Sequence, residues 1–355
     1  METREIPVVD RVEFERMSAD DPHLVHKHPW IVTGHVQRWA GFERWSDIKQ
    51  LRQRFGHLTA YASAPHFATS KRQQMFSVET RYSQYLDYVE DPSRLADIYP
   101  GAWVKGNCED FLRQTMPLYC GSIRMVHDGG NEILQELDPL VPRSIDTWNH
   151  ALPYYYALFN HFWLFVSLPG ALTPLHRDNN GIMAILAQLK GHKRAILYSP
   201  EDLRHVYNDQ VGYLDPLAPD RSDFPSWDAA VQWRGEIRDG QALFFGTDWS
   251  HHVETLETSI SVGFDFVNET NIEAYAQSPQ WAEGFGKRIK LNPSMYAERS
   301  KGFFSEADVQ AMSSVELGRR FMAHVLRQAV QHAGLPGDEV SAIRQRYLTH
   351  LDALA

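Results

Sequence analysis

Apolar and polar positions follow two rhythms along the first third of the chain. Ile6 to Val9 and Pro29 to Thr33 are short β-rich runs, whereas Trp45 to Phe55 and Val78 to Val89 carry apolar residues at helical spacing. An N-terminal α/β region over residues 1–100 is expected from this mixture. From about Tyr119 the pattern becomes a series of short strands. They are expected at Ser122 to Val126, Phe162 to Leu168, Ile182 to Leu189, Arg194 to Tyr198, Gln241 to Phe245 and Ser259 to Val267, with Gly and Pro punctuating most of them. Strands of this length without alternating helices predict an antiparallel sandwich or barrel, and a jelly roll fits. The fold class is therefore mainly β with α additions, its core over residues 101–270.

The polar, Pro- and Asp-rich stretch between Pro200 and Trp233 reads as loop on the barrel rim. After Asn271 the rhythm turns helical, giving a C-terminal helical region over residues 271–355. Ser305 and Asp308 form a capping pair ahead of a stripe through Val315, Phe321, Met322, Val325, Leu326 and Ala329. Gly334, Pro336 and Gly337 end that helix, and Asp338 caps a second one carrying Ile343, Tyr347, Leu348 and Leu351. These stripes are expected to pack on their own barrel or to form a homodimer interface.

Composition narrows the function classes. With 43% apolar and 23% charged residues the chain is an ordinary globular one. Against 35 Lys and Arg stand 45 Asp and Glu, a formal charge of -10, so the basic footprint of a nucleic-acid partner is missing. Two cysteines, Cys108 and Cys120, are too few for a disulfide framework or a cysteine zinc site, which points to a reducing compartment. The N-terminal Met-Glu-Thr-Arg-Glu-Ile-Pro has no basic head followed by an apolar run, so a cytoplasmic setting is expected. Tyr154 to Leu172 is rich in aromatics, but Asn160, His161, Ser167 and Pro169-Gly170 interrupt it. It reads as a buried strand feeding a turn, and no membrane partner is expected.

Seventeen histidines are more than any one site can use. His23, His26 and His28 have no carboxylate at ligand spacing and read as a solvated loop. Thr173-Pro174-Leu175-His176-Arg177-Asp178 differs, because it follows an apolar strand and a Pro-Gly turn. In extended chain, residues two apart share a face, so the His176 imidazole and the Asp178 carboxylate converge. Downstream, Trp249-Ser250-His251-His252-Val253 can bring a second imidazole from a neighbouring strand. Two histidines and one carboxylate on one face of a metal leave about three octahedral positions for other ligands, which suits iron(II) oxygen chemistry. Zinc accepts the same donors, and spacing alone does not choose between them. Lys193, at the opening of a strand, offers a cation for a dicarboxylate, with the Thr173 hydroxyl beside it.

Three blocks carry a resemblance: Thr173 to Asp178, Gln188 to Pro200, and Trp249 to Leu256. In order and spacing they resemble the cupin-like JmjC hydroxylases, most closely the asparaginyl hydroxylases, over roughly Ile6 to Val267. The resemblance implies a double-stranded β-helix that binds iron(II) and 2-oxoglutarate, uses dioxygen, and releases succinate and carbon dioxide. By position it implies His176, Asp178 and His251 as metal ligands, and Lys193, Thr173 and Tyr119 as holders of the cosubstrate's far carboxylate. His252 falls behind the ligand or at the rim.

The chain departs from the family in Phe245-Gly246-Thr247-Asp248, where relatives usually carry a proline, and in Gly263-Phe264-Asp265. The expected activity is hydroxylation of a peptide or protein side chain, or of an amino-acid-like small molecule. Two rivals keep the barrel: a cupin metalloenzyme that does not use 2-oxoglutarate, and a non-catalytic binding protein.

Overall fold

Strand alternation sorts the chain into two stacked sheets. The computed structural model describes residues 1–66, 74–98, 117–129, 133–137, 162–178, 181–266, 270–271, 274, 279–291, 305–321 and 324. In chain order the strands are β1 (Glu2–Glu5), β2 (Val8–Asp10), β3 (Trp30–Thr33), β4 (Thr59–His66), β5 (Gln74–Arg81), β6 (Tyr119–Arg124), β7 (Phe162–Ser167) and β8 (Leu172–His176). They continue as β9 (Met183–Lys190), β10 (Lys193–Tyr198), β11 (Tyr207–Asn208), β12 (Gly212–Tyr213), β13 (Val231–Ile237), β14 (Ala242–Phe245), β15 (Ser250–Thr255) and β16 (Ser259–Phe266). One sheet runs β1-β13-β10-β15-β8 and the other β2-β3-β14-β9-β16-β7-β6-β4-β5, with β11 and β12 a separate hairpin. The antiparallel jelly-roll core is as expected, and the first hundred residues add strands to both sheets.

Period-two alternation explains the layering. On β9, Met183, Ile185, Ala187 and Leu189 join the core formed with Phe14, Trp45, Leu51, Phe55, Tyr85 and Leu86 from the N-terminal helices. Ala184 and Leu186 point the other way, between the sheets, where Ile6, Ile31, Ala195, Leu197, Leu243, Phe245 and Trp249 pack. The Tyr85 hydroxyl donates to the carbonyls of Val166 at 2.6 Å and Leu118 at 3.2 Å, which ties the helix Tyr82–Glu90 to β6 and β7.

Several expectations need correction. Val78 to Val89 is not one helix: β5 runs to Arg81, where pairing with β4 prevails, and only Tyr82–Glu90 is helical. The rim segment is not all loop. It contains the β11–β12 hairpin, and Val231 already belongs to β13, which pairs with β10. Val206, Val211, Leu214 and Phe224 give it a small core against Leu175, Ile196 and Tyr198. The Ser305–Asp308 capping box is present, but its helix, Glu306–Ala311, stops at Met312 and a separate helix covers 314–321. The second C-terminal helix, Val325 to Ala329 and Cys108 lie outside the described residues. Among the described residues, no helix is long and apolar enough to cross a membrane.

Candidate metal centre

β8 and β15 pair so that His176 stands directly opposite His251. Between that pair and the next, Val253 opposite Thr173, β15 advances two residues and β8 three. The extra residue is a bulge, a device that re-aims side chains beside active sites. It allows Thr173 and His176, an odd number apart, to face the same inter-sheet cavity. Just past the end of β8, Asp178 turns its carboxylate to both rings, 3.7 Å from His176 Nε2 and 3.8 Å from His251 Nε2. One donor atom from each of the three lies within 4.8 Å of the others. His176 Nδ1 donates to the Pro174 carbonyl at 2.8 Å, and His251 Nδ1 to the Trp249 carbonyl at 3.3 Å. These bonds fix the tautomer that leaves both Nε2 atoms free toward Asp178, which is how metal-binding histidines are oriented.

Burial holds His251 neutral, its pKa lowered to about 4 by desolvation and then by the neighbouring His176. A neutral imidazole is the ligating form. Two imidazole nitrogens and a carboxylate suit a first-row divalent ion, so the donor set fits iron.

Lys193 opens β10 two residues after Gly191, whose φ of +83° makes the β9–β10 turn. Its alternation with Ala195 and Leu197 turns it inward, where it is 5% exposed. It lines the same cavity, about 360 Å³ in volume, with its ammonium 5.8 Å from the Phe165 ring centre. Among the described residues no carboxylate pairs with it. Desolvation alone brings its pKa down to about 7. An inward, unpaired cation is a ready partner for an anionic ligand. Thr173 and Tyr119, expected beside it, also line the cavity, with the Thr173 hydroxyl close to the Tyr119 phenol. Burial raises the Tyr119 pKa, so the phenol stays protonated.

Other histidines fall elsewhere. His252 faces away from the cavity, level with Ile196 beneath the rim segment, 1% exposed and so not at the rim. His26 and His28 are not in a solvated loop. His26 sits in the short helix Leu24–Lys27 and bonds Thr270 Oγ1 through Nε2 at 2.8 Å, while its carbonyl accepts from Trp249 Nε1 at 3.2 Å. His28 stacks on Trp233 at 5.2 Å. The Leu24–Lys27 helix therefore buttresses the turn that delivers His251, a role with no local signal in the sequence. Arg177 faces Asp248 at 3.7 Å, and Asp265 lines the cavity.

Two sheets sandwiching a His-Asp-His cluster are the arrangement of a cupin. The family model described as cupin-like domain matches residues 18–271, and the chain belongs to this cupin-like family, which relatives named as JmjC hydroxylase and lysine-specific demethylase share. The human bifunctional peptidase and (3S)-lysyl hydroxylase JMJD7 is 23% identical over 274 residues, 69% of this chain and 79% of that protein. The tRNA wybutosine-synthesizing protein 5 of Danio rerio is 34% identical over 100 residues, 27% of this chain and 30% of that protein. HSPB1-associated protein 1 of Rattus norvegicus is 31% identical over 102 residues, and the match spans 21% of its length.

Proposed function

We propose that this protein is an iron(II)- and 2-oxoglutarate-dependent oxygenase that hydroxylates a peptide or protein side chain, or an amino-acid-like small molecule. The observation that carries the reading is the sharing of one cavity by the His176, Asp178 and His251 cluster and the buried Lys193, which no carboxylate among the described residues pairs. A lysyl hydroxylase among the relatives supports oxidation of a side chain and puts protein substrates first. A cytoplasmic setting belongs to the same proposal, and the chain's low cysteine count, two in 355 residues, is what supports it.

His176 and His251 would hold the metal through Nε2, and Asp178 through its carboxylate. Bound iron supplies the redox chemistry that couples oxidative decarboxylation of 2-oxoglutarate, to succinate and carbon dioxide, with insertion of one dioxygen oxygen into a substrate C–H bond. The Lys193 ammonium and the hydroxyls of Tyr119 and Thr173 would bind the far carboxylate of the cosubstrate. Phe165, Phe245 and Leu186 wall the cavity with apolar surface, which limits the water that reaches the reacting centre.

The test is anaerobic reconstitution with iron(II) and 2-oxoglutarate, read as a charge-transfer band in the visible region. Succinate formation with peptide and amino-acid panels, with mass spectrometry for a gain of one oxygen, completes it. Metal-loaded protein that shows neither band nor succinate refutes the reading. A Lys193→Ala protein with unchanged 2-oxoglutarate affinity favours a cupin enzyme that does not use it.

A further inference from the structure

The five-stranded sheet carries a row of residues that leads away from the metal cluster. His251, Leu197 and Trp233 are register partners on β15, β10 and β13, and Arg4 on the edge strand β1 follows Trp233. Neighbouring strands lie about 5 Å apart, so the Trp233 backbone is about 10 Å from that of His251. Trp249 shortens the gap. Its carbonyl accepts from His251 Nδ1 at 3.3 Å, and its ring centre is 6.3 Å from that of Trp233, edge to face. We propose that Trp249 and Trp233 form an electron relay that drains oxidising equivalents from the metal centre to the surface when no substrate is in place. The proposal takes from the oxygenase reading only that such equivalents arise at the cluster.

The surroundings give the relay a direction. Indole yields an electron more readily than the phenyl and aliphatic groups of Phe245, Leu197 and Leu243, which pack with Trp249. Trp249 Nε1 donates to the His26 carbonyl at 3.2 Å, and a carbonyl oxygen does not take the proton away. The oxidised ring therefore stays a cation, which is costly at 2% exposure among apolar side chains. Trp233 is only partly buried, so positive charge is better solvated there and the electron vacancy moves outward. The Arg4 guanidinium lies 5.4 Å over the Trp233 ring, but Glu2 pairs it at 2.6 Å. Loss of the indole proton to water then leaves a neutral radical that the Arg4 charge does not oppose.

Electrons and protons balance along the path. Each electron that Trp249 gives up reduces the metal centre by one, and Trp233 refills Trp249. A one-electron donor in solution, a thiol or an ascorbate-type enediol, refills Trp233, and water returns the proton. Without a donor, dioxygen adds to the Trp233 radical and leaves an oxygenated indole. The histidine ligands and the cavity rings Phe165 and Phe245 are thereby spared.

The test generates oxidant with no substrate present. Iron(II)-loaded protein is treated with hydrogen peroxide in one arm and with 2-oxoglutarate and dioxygen in the other, and oxygenated residues are mapped by peptide mass spectrometry. Trp227 is the internal control, because it is also partly exposed and also lies beneath a guanidinium, that of Arg221 at 5.6 Å. Trp233 is expected to carry several-fold more oxygen than Trp227, and ascorbate to suppress it. Trp249→Phe keeps the carbonyl that holds His251, and is expected to remove most of the Trp233 signal and to raise damage at Trp163 in the cavity wall. Trp233→Phe is expected to move the signal to Trp249. Unchanged melting temperature and Mn(II) affinity verify the fold of both variants. Trp233 oxygenated no more than Trp227, a Trp233 signal undiminished in Trp249→Phe, or the same pattern in zinc-loaded protein would each overturn the relay. A Trp233 signal in the peroxide arm with no succinate in the other counts against the oxygenase reading alone. Succinate formation with Trp233 unmarked counts against the relay alone, and failure to bind iron overturns both.

Discussion

His176 and His251 are direct cross-strand partners whose ring centres lie 4.1 Å apart, and each donates its Nδ1 proton to the carbonyl two residues before it. The two rings are thus held by the same local device on adjacent strands, with Asp178 left to close the set. Asp178→Ala removes the one carboxylate donor and leaves two imidazoles. Its metal affinity is expected to fall by on the order of 100-fold or more, measured by titration with Co(II) or Mn(II). Retained affinity would mean that the metal binds elsewhere.

Lys193 carries a burial cost when no anion is present. Its pKa is about 7 in the fold and near 10.5 when unfolded, so the unfolded chain binds more protons between these values and stability rises with pH across that window. Below pH 7 the ammonium is present and fully penalised. Lys193→Met is expected to stabilise the metal-free protein by about 1–4 kcal/mol at pH 6, with the gain shrinking toward pH 10. The same change should abolish 2-oxoglutarate binding. Thermal denaturation and calorimetry read the two effects, and a destabilised Met variant would contradict the first.

Affinity for the dicarboxylate should follow the same group in the opposite sense. The ammonium form binds it, so affinity is flat below pH 7 and declines about tenfold per pH unit above it. Asp178, His176, His251 and Asp265 also face the cavity, so the comparison is made at fixed metal saturation. Affinity that is level from pH 6 to 9 would show that Lys193 does not titrate in this range.

Among the described residues neither ring nitrogen of His252 has a hydrogen-bond partner, and desolvation, then the charges of His176 and His251, lowers its pKa to about 3. An unfolded histidine takes up a proton near pH 6.5, so stability is intact above that pH and is lost as pH falls toward 3. At pH 5 the loss from this residue is about 2 kcal/mol. His252→Leu is therefore expected to flatten the acid limb of a stability-pH curve, read from urea midpoints at pH 7 and pH 5. An unchanged difference between the two midpoints would refute this.

Gly191 adopts φ +83°, and a Cβ there would meet the Thr258 carbonyl oxygen at 2.2 Å. Gly191→Ala combines backbone strain with a clash against main chain, and a cost of about 1–3 kcal/mol is expected. Because this turn sets where β10 begins, 2-oxoglutarate affinity should weaken as well. A melting curve that matches the unaltered protein would show that the turn can relax.

Much of the site was legible from local rules. Spacing put His176 and Asp178 together, and the opening of a strand marked Lys193, because period-two alternation reports which face a side chain takes. β8, β13 and β15 gave weaker signals: they carry Thr, Pro, His, Arg and Gly where an apolar rhythm would mark a strand. Val78 to Arg81 looked helical for the converse reason, since its apolar spacing continues into the true helix after it.

The residues alone therefore determined the strand-rich class, the candidate donor types and the inward cation, all of which follow from chemistry and periodicity within a few positions. Tertiary structure decided that His176 meets His251, that a bulge brings Thr173 to the same face, that His26 supports the distal turn, and that the rim segment folds into a hairpin. Periodicity states which side of a strand is buried, but not which distant strand will lie beside it. That pairing is set by the packing of two whole sheets.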